Sequence, residues 1–112
     1  MKLKTTETNG VYLVEMSGKI MGGPESAQFH DAMKHAVANN LKKVVIDLGG
    51  VEWMNSSGIG LLVSAYTTLK NAGSEMKLAR TTDKIQSLLV ITKLNSVFDS
   101  HDSVENAVKS FN

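Results

Sequence analysis

Three consecutive β-branched residues, Val44-Val45-Ile46, run on into Asp47-Leu48, and no other stretch limits the fold of this chain so strongly. A strand with one wet face alternates apolar and polar side chains. An unbroken apolar run reads instead as a strand covered on both faces, the middle of a sheet that carries helices. The flanking sequence supplies those partners. Val11 to Met16 is rich in β-formers and stops at Ser17-Gly18; Leu3 to Thr8 is a weaker strand joined to it by the hairpin signal Asn9-Gly10. After the break Gly22-Gly23-Pro24, a helical pattern from about Glu25 to Asn39 places Phe29, Ala32, Met33, Ala36 and Val37 on one face. A second helix is expected from about Ser57 to Ala72, with Ile59, Leu62, Val63, Tyr66 and Leu69 inward and Gly73 as its stop. Met76 to Ala79 reads as a short strand, and Asp83 with Gln86 as the cap of a third helix carrying Ile85, Leu88 and Leu89. Val97-Phe98 is expected as a last strand. Asp102 and Glu105 then cap a final helix whose inner face is Val104, Ala107, Val108 and Phe111.

The order ββαβαβαβα predicts an α/β fold: a mostly parallel central sheet of four to five strands with about four helices. A chain of 112 residues is expected to be a single domain, residues 1–112. In such sheets, binding sites gather beyond the carboxyl ends of the strands, where a loop enters a helix. That directs attention to the segment after Leu48.

Composition narrows the function. The net charge is +1, with one Trp, two Tyr and three Phe, which gives neither the field nor the stacking platform that nucleic-acid binding needs. The absence of cysteine excludes disulfides, thiolate nucleophiles and cysteine-based zinc sites. The N-terminal residues lack the apolar stretch of a signal peptide, and no apolar run approaches a membrane span, so a cytoplasmic location without membrane insertion is expected.

The segment in question reads Gly49-Gly50-Val51-Glu52-Trp53-Met54-Asn55-Ser56-Ser57-Gly58-Ile59-Gly60. Asn55 or Ser56 suits a helix N-cap, and capping alone would account for both. Gly58 and Gly60 are costly in a first turn, about 1 kcal/mol each relative to Ala, which suggests that a strand or a partner comes close to the backbone. Ser56 also makes sense as a phosphorylation site. A phosphate there faces the free amides of a helix N-terminus, so the fold tolerates it, while a partner pressed on the same surface would meet an unpaired charge. The glycines are only a fragment of Gly-x-Gly-x-x-Gly, with no Gly-Lys-Ser/Thr, and give little support for nucleotide binding.

Val44-Val45-Ile46-Asp47-Leu48 followed by Val51 to Gly60 resembles the signature of the STAS family, which includes the bacterial anti-sigma-factor antagonists. The resemblance extends over essentially the whole chain, including Ser17-Gly18-Lys19-Ile20. It implies a non-enzymatic binding switch without a cofactor. The unmodified form holds an anti-sigma factor that is also an ATP-binding serine kinase, phosphorylation releases it, and a serine phosphatase resets the cycle. By position the phosphorylated residue is Ser56, and the partner surface is Met21, Gly22, Trp53, Met54, Asn55, Ser56, Ser57, Gly58 and Ile59. Two departures stand out. The family's Asp before the phosphorylated Ser is Asn55 here, and the loop Ile20 to Pro24 lacks the usual acidic residue and is slightly longer.

Other candidates are weaker. His30 and His35 lie five apart and His101 is remote, so no metal-ligand spacing is present. Asp47 is expected to make structural hydrogen bonds, since no Ser–His–Asp arrangement can be read from the order. Met21 and Met54, expected in loops, suit an adaptable contact surface. Trp53 is either a loop anchor or a binding hot spot. Two other functions fit less well: a constitutive STAS subunit of a transport or regulatory complex, and a small nucleotide-binding or hydrolytic protein.

Overall fold

Alternating strand and helix patterns appear in three dimensions in the order read from the sequence. The computed structural model describes residues 2–23 and 26–111. The elements are β1 (Lys2–Thr8), β2 (Val11–Ile20), α1 (Ser26–Ala38), β3 (Lys43–Met54), α2 (Ser56–Asn71), β4 (Glu75–Ala79), α3 (Asp83–Ile91), β5 (Asp99–His101) and α4 (Val104–Lys109). The strands form one sheet in the order β1-β2-β3-β4-β5, antiparallel between β1 and β2 and parallel elsewhere. The hairpin turns through Asn9 (φ 53°) and Gly10 (φ 80°), the two left-handed positions that a two-residue turn of type I′ requires.

The Val44–Leu48 run is buried throughout, and the two faces of the sheet explain why. Val44, Ile46 and Leu48 join Phe29 and Met33 of α1, Leu62 and Leu69 of α2, and Ile85 and Leu89 of α3 in the main core. Val45 faces the other way, with Val11, Ala79 and Ala107, under the short helix α4. Helix α2 ends as expected at Gly73 (φ 78°). There the Ser74 amide donates to the Leu69 carbonyl (2.8 Å) and the Gly73 amide to that of Lys70 (3.0 Å), a Schellman close.

Several boundaries differ from the sequence reading. Strand β2 does not stop at Ser17-Gly18; Gly18 takes φ 84°, and two register shifts carry the strand to Ile20. Strand β3 likewise continues through Gly49-Gly50 to Met54, because Ser17 pairs with Gly50 and Ile20 with Met54. Asp47 is therefore inside a strand, and Met54 is not in a loop. The expected strand at Val97-Phe98 is a turn, since the Phe98 ring packs edge-on against Tyr66 at 5.8 Å; the strand begins at Asp99. Helices α3 and α4 are capped by Thr82 and Ser103, whose hydroxyls accept from Ile85 and Asn106, and not by Asp83 and Asp102. Val37 and Val63, expected on inner faces, are exposed. The expected helix start at Glu25, after Pro24, lies outside the described residues.

Candidate functional site

Strand β3 delivers its last residues directly into α2. The Asn55 backbone is extended, and its side-chain Oδ1 accepts from the Gly58 amide at 2.9 Å, so Asn55 is the N-cap. Ser56 is the first helical residue and does not share the capping role; it and Ser57 are exposed. The first turn of α2 carries no acidic residue.

The glycine at position 58 has a clear physical reason. A Cβ there would lie 2.6 Å from the Ile20 carbonyl oxygen and 2.5 Å from Met54 Cγ. The approach that it permits is the chain's own: the end of β2 presses on the first turn of α2, and the Asn55 amide donates to that same Ile20 carbonyl (3.3 Å). Gly60 is different, since a Cβ at that position would have nothing within 4 Å. The loop after β2 completes the arrangement. Gly22 takes φ 80°, and a Cβ on it would sit 3.0 Å from Ser57 Cβ, so the loop adjoins Ser57 at Gly22.

The expected partner surface therefore divides into two layers. Ser56 and Ser57 are exposed, Met21 is 54% and Trp53 44% exposed, and Gly22 and Asn55 are half-buried. Met54, Gly58 and Ile59 are not part of that surface. Met54 is 3% and Ile59 4% exposed, because Val51 and Met54 turn toward the core where β3 ends. Those three residues support the surface from below. Trp53 stands beside an open groove of about 370 Å³ whose other wall is α3, with Lys84, Ile85 and Leu88. Nothing in the sequence flagged α3 as a neighbour of Trp53, since all of α2 and β4 lies between the two segments.

Asp47 makes the structural hydrogen bonds expected of it. Arg80 donates from Nε to Oδ1 (2.8 Å) and from Nη2 to Oδ2 (2.6 Å), and the Gly49 amide donates to Oδ1 (3.0 Å). The same pairing raises the Arg80 guanidinium above its ordinary pKa, chiefly through the hydrogen bond to Asp47. The histidines lie apart: His35 against the Tyr12 ring at 5.6 Å, His30 edge-on to Phe29, and His101 on β5.

Residues 2–107 match the family described as STAS domain. Among curated relatives, the anti-sigma F factor antagonist of Paenibacillus polymyxa is 23% identical over 109 residues, covering 96% of this chain and 92% of that protein. Among solved structures, an anti-sigma factor antagonist from Mycobacterium paratuberculosis superposes with a TM-score of 0.84 at 22% identity, covering 97% of this chain and 92% of that one. The Bacillus protein SpoIIAA, an anti-sigma factor antagonist solved in unphosphorylated and phosphorylated forms, superposes at 13% identity. Its TM-scores are 0.73 and 0.76, with 97% and 99% of this chain and 96% and 100% of that one covered.

Proposed function

The chain belongs to the STAS domain family, and on that premise we propose that it is an anti-sigma-factor-antagonist type of binding module, switched by phosphorylation of Ser56. The unphosphorylated form holds an anti-sigma factor that is also an ATP-binding serine kinase. That kinase phosphorylates Ser56, and a serine phosphatase restores the binding form. The exposed residues Met21, Trp53, Ser56 and Ser57, with Gly22 and Asn55 between them, form the docking surface. The chain acts as a binding protein and as the substrate of its partner's chemistry, in the cytoplasm.

One observation carries this reading: Ser56 is exposed at the first position of a helix whose anchoring is done by its neighbours. Asn55 makes the cap, and Gly58 holds the helix against Ile20. A phosphate on Ser56 therefore changes the surface without removing a structural contact. It adds about −1.5 to −2 charges beside helix amides that favour negative charge, so the domain stays folded. A partner seated on Met21 and Trp53 would have to bury that charge, at a cost of several kcal/mol if unpaired. Asn55 keeps the cap that an Asp would provide but carries no charge, so the unmodified surface is less acidic than the family pattern and selects its partner accordingly.

The test is a paired capture from native lysate with Ser56→Ala and Ser56→Asp as baits, the captured proteins identified by mass spectrometry. The expected result is an ATP-binding serine kinase held by Ser56→Ala and absent from Ser56→Asp. That kinase, purified, should add a single phosphate to the wild-type chain and none to Ser56→Ala. If both baits hold the same complex, Ser56 is only part of the helix end and the constitutive-subunit reading replaces the switch.

A further inference from the structure

Helix α4 covers only part of its side of the sheet. It packs over Val11, Val45 and Ala79 and leaves the stretch around Asp47 and Gly50 open. Its polar side chains come from three neighbouring strands in register, Lys2 opposite Ser17, Lys4 opposite Glu15 and Ser17 opposite Gly50, with Asp47 opposite Ala79, the residue before Arg80, while Leu3 and Met16 supply apolar wall. Together they line a cavity of about 340 Å³.

Arg80 is held there more firmly than a surface arginine normally is. Its backbone adopts φ 54°, a left-handed conformation that is uncommon for a residue with a Cβ. Its guanidinium lies over Gly49, where a Cβ would come within 2.5 Å of Nε and Cζ. Asp47, whose side chain is 4% exposed, grips it through two hydrogen bonds, while the arginine side chain remains 53% exposed. A guanidinium has five N–H donors. Three of them, the two on Nη1 and one on Nη2, have no partner among the described residues. Asp47 thus serves as a mount and fixes a planar donor fork in place at the wall of the cavity. Lys2 and Lys4, adjacent on one face of β1, add two mobile cations, and the Ser17 hydroxyl adds a further donor.

We propose that this cavity binds a small phosphate monoester. A rigid arginine fork matches the oxygen spacing of a phosphate, and two lysines suit a dianion better than a single carboxylate. The volume exceeds what a bare phosphate fills, leaving room for the esterified group. Glu15, the one carboxylate on the wall not bound to Arg80, accepts from a hydroxyl on that group. The site shares β3 with the Ser56 surface but uses none of its residues, and so stands whether or not Ser56 is a switch.

The shared chemistry, a monoester phosphate, is offered both by soluble metabolites and by the headgroup of phosphatidic acid. The test uses the full chain at low ionic strength. Glycerol 3-phosphate is titrated by ¹H–¹⁵N NMR, and vesicles with and without phosphatidic acid are used in sedimentation. The variants are Lys2→Ala/Lys4→Ala, on an exposed edge strand and so expected to remain folded, and Arg80→Lys, which keeps the charge but removes the fork. Saturable shifts at Gly49, Gly50 and Arg80, weakened about tenfold in either variant, would support a soluble ligand. Sedimentation with phosphatidic acid alone, with the same dependence on the variants, would support the headgroup. Absence of both, or binding that is unchanged in the double variant, would overturn the proposal.

Discussion

Gly58 and Gly60 lie two positions apart near the start of α2, yet their surroundings assign them opposite roles. A methyl group at 58 would collide with the Ile20 carbonyl and the Met54 side chain, whereas one at 60 would meet nothing within 4 Å. Gly58→Ala is therefore expected to destabilise the domain by about 1–3 kcal/mol through overpacking, despite the better helix propensity of Ala. Gly60→Ala should stabilise it by up to about 1 kcal/mol, because the exposed helix gains propensity and loses no contact. Urea midpoints of the two variants would read both signs. Equal effects would mean that Gly58 is not in the close contact described.

Two ion pairs tie neighbouring strands together, and they respond to different perturbations. Between β3 and β4, Asp47 is buried and depends on Arg80 for most of its compensation. Arg80→Ala leaves that carboxylate with only the Gly49 amide, and should cost about 2–4 kcal/mol of unfolding free energy at pH 7. Between β4 and β5, Lys77 donates to Asp99, which holds the Asp99 carboxyl below its ordinary pKa; burial opposes this and His101, with Nε2 3.1 Å away, reinforces it. A depressed carboxylate pKa contributes stability that is present above the ordinary value, roughly pH 4, and is lost as the pH falls through the native value. Denaturant titrations from pH 6 to pH 2.5 should show wild type above Asp99→Asn at pH 6. The gap should narrow in acid as the wild-type carboxylate takes up its proton.

At the scale of the molecule, the fold keeps the proposed docking surface and the core apart within a few residues of one segment. Met54, Gly58 and Ile59 face inward while Trp53, Ser56 and Ser57 face outward. Chemistry on the outward set should therefore leave stability alone. Ser56→Asp is expected to unfold within a degree or two of wild type, or slightly above it, since the new charge sits at a helix N-terminus worth about 0.3–1 kcal/mol. Differential scanning calorimetry of wild type, Ser56→Ala and Ser56→Asp would check this. A large loss of stability in Ser56→Asp would mean that the serine belongs to the structure rather than to the surface.

Local patterns were enough to establish the α/β class and the order ββαβαβαβα, because apolar period and turn chemistry act over a few residues. They also located Gly73 as the end of α2, the Asn9-Gly10 turn and the Asn55–Gly58 segment, where a cap and a misplaced glycine coincide. The tertiary structure alone decided how far β2 and β3 run, since the pairing of Ser17 with Gly50 and of Ile20 with Met54 joins segments more than thirty residues apart. That extension turned Met54 inward and left Trp53 out. The same kind of distant contact replaced the strand at Val97-Phe98 by a turn against Tyr66 and gave Asp47 its partner in Arg80. A residue's neighbours along the chain govern its backbone preference, but which side of it is buried depends on what the rest of the chain brings against it.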